Sequence, residues 1–170
     1  MRGIDWSKRT ITPRFPNFRF QRADVFSKRY NKRSRTRASE YRFPFEDDSF
    51  DFIVLTSVFT HLLPADAEHY VREIGRVSRP GGTCFATFFL LDDQSLQAIA
   101  EGRSVPSFHV RGAGYRTIRK DNPEVATAHP AEAVARWFDA AGLSTRVIYP
   151  GSWSGRADSP TYQDIVIARD

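Results

Sequence analysis

The chain has 170 residues, 41% hydrophobic and 26% charged, with ten glycines. This is ordinary globular composition, which excludes a disordered or collagen-like chain, and the length suits one domain over 1–170. The net charge of +5 conceals a split: residues 1–42 carry 13 Lys/Arg against three acids, and residues 43–170 carry 12 against 17, a pattern of an anion-binding face, a nucleic-acid partner or an acidic neighbouring segment absent from this chain.

The longest nearly unbroken apolar run, Cys84 to Leu91, is far short of the ~20 residues of a membrane helix, so no membrane partner is expected. Met1-Arg2-Gly3 opens a polar stretch without the apolar core of a secretory signal. The one cysteine, Cys84, cannot form an internal disulfide, which fits a cytoplasmic setting.

In chain order, Asn17 to Val25 alternates, with Phe18 and Phe20 against Arg19 and Gln21, and predicts a strand with Asp24 at its carboxyl end. Residues 27–42 form a basic loop. Phe52 to Val58 is a continuous β-rich run, as in a strand buried on both faces of a parallel sheet. Ala65 to Ser78 has helical period, with Ala67, Tyr70, Ile74 and Val77 on one stripe, ended by Arg79-Pro80-Gly81-Gly82. Thr83 to Leu91 reads as a second buried strand. Asp92 and Asp93 look like the N-cap of a helix through Ala100 rather than metal ligands, because no His or further acid has ligand spacing. Residues 101–128 read as irregular and long enough for a lid or substrate loop. Pro130 to Ala141 predicts a helix closed by Gly142, with Val134, Phe138 and Ala141 as its stripe and Trp137 in the core. Ser144 to Tyr149 and Tyr162 to Arg169 read as strands. The fold class is α/β, a mainly parallel sheet ending in an antiparallel pair.

Three segments in order, FPFEDDSFDF from Phe43, FIVLTSVFTHL, and YVREIGRVSRPGG, resemble the core of class I S-adenosylmethionine-dependent methyltransferases (type 11-like), and the closing strand pair matches that Rossmann-like fold. The resemblance implies methyl transfer with S-adenosylmethionine as cofactor and a small-molecule acceptor. It places Asp24 at the adenine amine and the Val25 N–H at the ring nitrogen. It also sets Thr56, Ser57 and His61 beside the cofactor, because ligands in open α/β sheets sit outside the carboxyl ends of strands. Against these stand plainer readings: Asp24 as a loop cap, Thr56 and Ser57 in packing or local turn bonding, His61 as a packed or capping histidine rather than a base. No catalytic residue and no metal is assigned.

The family's Gly-rich turn after its first strand has no counterpart here. Two registers exist for the beginning. In one, Gly3-Ile4-Asp5 ends a strand and Asp5 grips the ribose; in the preferred one, Ile4 to Thr12 is a helix and the ribose acid lies upstream. The expectation is a domain N-terminally truncated, lacking its central first strand, leaving the strand at 52–58 with an unpaired edge and binding the cofactor weakly or not at all. A degenerate methyltransferase and a non-catalytic nucleic-acid module using Lys28 to Arg42 are the alternatives, the latter not favoured because most charge runs are simply solvated. A nicotinamide oxidoreductase is rejected: G-x-G-x-x-G is absent and no tyrosine has lysine four residues on. The oligomeric state is left open.

Overall fold

The computed structural model describes residues 2–28 and 30–170; Met1, and Arg29 of the basic loop, lie outside the described residues. The chain opens with helix α1 (Arg2–Thr10), in line with the preferred register. Strand β1 (Phe50–Leu55) is followed by helix α2 (Pro64–Val77) and strand β2 (Ser78–Phe88). Parallel strands need such a crossover, and β1 and β2 pair in parallel, Ile53 opposite Cys84 and Leu55 opposite Ala86. Within the first residues of β2, where the pairing with β1 shifts register, Gly81 has φ +76°, and a Cβ on Gly82 would lie 2.8 Å from the Arg79 carbonyl oxygen, so the Pro-Gly-Gly spelling is a steric requirement.

Beyond β2 come strand β3 (Leu90–Leu91), helix α3 (Asp93–Ala100), strands β4 (Val110–Gly112), β5 (Tyr115–Thr117) and β6 (Thr127–Pro130), helix α4 (Ala131–Ala140), and strands β7 (Ser144–Tyr149) and β8 (Asp164–Arg169). The main sheet has the order β1-β2-β8-β7, closing with the expected antiparallel pair, and a second small sheet has the order β3-β6-β5-β4. Asp92 caps α3 through a reciprocal bond pair with Ser95, as its sequence predicts.

Helices α2 and α4 cover one face of the main sheet. Val71, Ile74, Val134 and Phe138 meet Leu55, Cys84, Ala86 and Val166 there. The helices approach closely at Gly75, where a Cβ would lie 2.3 Å from the Ala141 carbonyl oxygen. A second cluster of Phe89, Phe108 and Trp153 sits on the other side of the end of β2, because successive residues of a strand point to opposite faces and Phe88 belongs to the first cluster. Asp164, buried, joins the two layers by accepting hydrogen bonds from the Leu90 N–H (2.6 Å), the Gly151 N–H (2.7 Å) and Trp153 Nε1 (2.7 Å).

Four expectations are corrected. The strand predicted at Asn17 to Val25 does not form. Alternation supplies a face, but a strand also needs a neighbour for its backbone groups, and none pairs with this segment among the described residues; Ser34 Oγ donates to the Asp24 carbonyl (2.7 Å) and Asn31 Nδ2 to the Val25 carbonyl (3.0 Å) instead. The run Phe52 to Val58 is not buried on both faces. It shortens to an edge strand that buries Leu55, half-buries Ile53 and leaves Phe52 (59%) and Val54 (52%) exposed, since among the described residues only β2 pairs with it. The strand through Leu91 breaks at Phe89, where the chain passes from one sheet to the other. Residues 101–128 are not irregular: they carry the β4–β5 hairpin, a helical turn at Pro123–Val125 and the start of β6.

Candidate functional site

A cleft of about 240 Å³ opens beyond the carboxyl end of β1, lined by Val25, Ser57, Val58, His61, Leu62 and Tyr70 among others. Its walls come from the pinned Val25 and the start of the basic loop after it, from Ala38, from the turn after β1, from the first half of α2, and from Glu124. Asn31 and Ser34 clamp the 24–25 backbone from the basic loop, and Asn31 Nδ2 also donates to Asp24 Oδ1 (2.9 Å). Arg22 pairs with the same carboxylate at 2.9 Å. Asp24 is thus an exposed, neutralised acid beside the cleft, reached from no strand end, while its neighbour Val25 lines the cleft directly.

Ser57 has φ +55°, a left-handed conformation that few non-glycine residues adopt. A hydrogen-bonded chain holds it there. Its N–H donates to Thr87 Oγ1 (2.8 Å), the Thr87 hydroxyl donates to Gln163 Oε1 (2.6 Å), and the Ser57 hydroxyl donates to the same oxygen (3.1 Å). Because Thr87 accepts the N–H, its proton goes to Gln163, which fixes the amide with Oε1 inward. Thr56, one residue back, is exposed and does not line the cleft.

His61 Nδ1 meets the Glu124 carbonyl at 2.9 Å, and its Nε2 lies 3.4 Å from the Tyr30 hydroxyl, so Nδ1 is the donor. Glu124 is also the strap across the mouth, its carboxylate accepting from Ser27 Oγ (2.7 Å) and the Lys28 N–H (2.9 Å). Tyr70 is pushed up to about 12, chiefly by burial and then by the facing Tyr41 and Asp66, so it presents a neutral ring. The structure therefore brings Val25, Ser57 and His61 together, sets Asp24 at the edge and leaves Thr56 outside. Asn31, Ser34, Thr87, Glu124 and Gln163 were missed by the sequence reading; only their tertiary partners mark them.

Val58, Leu62 and the Tyr70 ring give the cleft an apolar wall beside the polar Ser57, His61, Asp66 and Glu124, and with a backbone edge at Val25 whose N–H meets no acceptor among the described residues this wall fits a flat heterocycle. The volume is below the ~300–1,000 Å³ of whole-ligand sites, so the cleft suits part of a ligand of that size rather than the whole. Gly3 is the sole glycine before Gly75, and it lies in α1, so no glycine turn precedes β1 among the described residues.

Residues 16–86 match the family model described as a methyltransferase domain. The demethylmenaquinone methyltransferase of Mycolicibacterium paratuberculosis is 30% identical over 116 residues, 67% of this chain and 46% of that protein. Its counterpart in Mycobacterium bovis is 32% identical over 114 residues, with the same shares. The chain thus spans about half the length of the curated relatives it matches. A SAM-dependent methyltransferase structure from Methanosarcina mazei superposes with TM-score 0.51 at 18% identity, over 85% of this chain and 72% of that one, a likeness of fold. By these matches and by its architecture, the chain belongs to the class I methyltransferase domain family.

Proposed function

We propose that this chain serves methyl transfer from S-adenosylmethionine to a small-molecule acceptor, with the cleft beyond β1 receiving the adenosyl end. The convergence of Val25, Ser57 and His61 on one apolar-walled cleft at the carboxyl end of β1 carries this reading. In it the Val25 N–H donates to a ring nitrogen, Asp24 accepts from the exocyclic amine at the rim, and Val58, Leu62 and Tyr70 sandwich the ring. The sulfonium methyl is itself electrophilic, so the protein's work is to orient a nucleophile in line with it and keep water out. No base is assigned, and His61 acts by holding the strap at Glu124.

In this placement the ribose and methionine end of the cofactor meet no holders among the described residues, where β2 alone pairs with β1. We infer that a strand and a Gly-rich turn on further polypeptide complete the sheet and the site, and that residues 101–128 wall the acceptor side in a cytoplasmic enzyme. Ultraviolet crosslinking of methyl-labelled S-adenosylmethionine followed by peptide mapping tests the placement. Label within 24–30 or 57–62 supports it; label confined to other peptides refutes it.

A further inference from the structure

The β4–β5 hairpin sets Arg111 directly opposite Arg116. Residues so opposed project to the same face, about 4.5–5.5 Å apart at Cβ, where like charges repel. The arginines nearby in sequence are treated differently: Arg103 pairs with Glu101 (2.5 Å), Arg119 with Asp121 (2.7 Å) and Arg156 with Asp92 (2.6 Å). Neither Arg111 nor Arg116 has an ion pair or side-chain hydrogen bond among the described residues. Arg116 is made less basic by burial and then by the charge of Arg111.

Both arginines line an open cleft of about 320 Å³ that shares no lining residue with the one beyond β1. Leu91, Leu96 and Pro130 supply its apolar wall, and no carboxylate lines it. The hairpin turns through two residues, Ala113 and Gly114, with Gly114 at φ +76°, so the two arginines are held in a short, defined frame. We propose that this cleft is a binding site for an anionic group, phosphate or carboxylate, carried on an apolar body. The anionic oxygens bridge Arg111 and Arg116, turning a repulsive pair into two charge-assisted contacts, and the body packs on Leu91, Leu96 and Pro130. This site stands independently of the cofactor reading.

Calorimetric titration of the chain with phenyl phosphate, benzoate, inorganic phosphate and phenol tests it, alongside Arg111→Gln and Arg116→Gln. Saturable binding of phenyl phosphate or benzoate is expected, tighter than that of inorganic phosphate or phenol, with each substitution weakening it at least about tenfold. The tighter of the two aromatic anions identifies the group. Without ligand at low salt, Arg111→Gln is expected to raise the thermal midpoint by removing the repulsion, which also shows that the variant is folded. Anions that bind no better than phenol, or affinities unchanged in both variants, overturn the proposal.

Discussion

At the scale of single residues, buried polar groups separate what side chains do from what their type suggests. His129 is fully buried, with Nε2 facing the Phe59 carbonyl at 3.3 Å and its ring against Trp137. Burial lowers its pKa from 6.5 to about 4. A histidine kept neutral in the fold contributes stability above pH 6.5, and loses it as pH falls from 6.5 towards 4 and the unfolded chain alone takes the proton. That linkage amounts to on the order of 3 kcal/mol. Chemical denaturation between pH 7 and pH 4 is expected to show a steep loss in the native chain and a shallower one in His129→Gln. Gln163 gives a second prediction at this scale. Replacing it with Ala removes the acceptor for Thr87 and Ser57, and is expected to cost about 1–3 kcal/mol and to weaken any ligand bound beside Ser57. The family resemblance pointed to Val25, Ser57 and His61, which line one cleft although the strand expected to carry Val25 does not form, whereas Gln163 carries its role through contacts with residues far away in sequence.

At the scale of elements, periodicity was enough wherever an element buries a face against its immediate neighbours. Helices α2, α3 and α4 and strands β7 and β8 lie where their apolar spacing predicts them, within a few residues. It failed at Asn17 to Val25, where a good alternating pattern has no ladder to join, and at 101–128, where three short strands depend on pairing with β3 and each other. The FPFEDD segment shows how an irregular stretch is nonetheless fixed. Arg76 donates to the Phe43 and Phe45 carbonyls (3.0 and 2.9 Å) and pairs with Glu73 and Asp47, while Glu73 accepts the Phe43 N–H at 2.7 Å. These partners hold the Glu73 carboxyl below its usual range, the Arg76 bond first among them. Arg76→Ala would strand a nearly buried carboxylate, at a cost of about 3–5 kcal/mol, readable as a drop in the denaturation midpoint. The open edge of β1 predicts self-association through Phe52 and Val54. Sedimentation should show concentration-dependent oligomers that Val54→Lys, a charge placed on an exposed edge, suppresses.

At the scale of the whole molecule, the charge split maps onto the architecture. The strongly basic first 42 residues precede β1, and Arg33, Arg35 and Arg37 lie exposed without ion pairs among the described residues. A nucleic-acid module built on them would show binding that falls steeply with salt, a behaviour the cofactor reading does not require. The rest of the chain builds two hydrophobic clusters joined at Asp164 and holds the cleft at their margin.

The account rests most heavily on that cleft taking the adenosyl end of the cofactor, and calorimetric titration of the chain with S-adenosylmethionine tests it most directly. The proposed placement supplies the adenine anchor alone among the described residues, and with each missing set of hydrogen bonds worth ~1–3 kcal/mol, affinity is expected to be lowered by a few powers of ten. The expected result is weak, saturable binding with a dissociation constant above roughly 100 μM, abolished by Val58→Trp, which fills the cleft. Micromolar binding would contradict the incompleteness of the site, and binding indifferent to Val58→Trp would contradict its location.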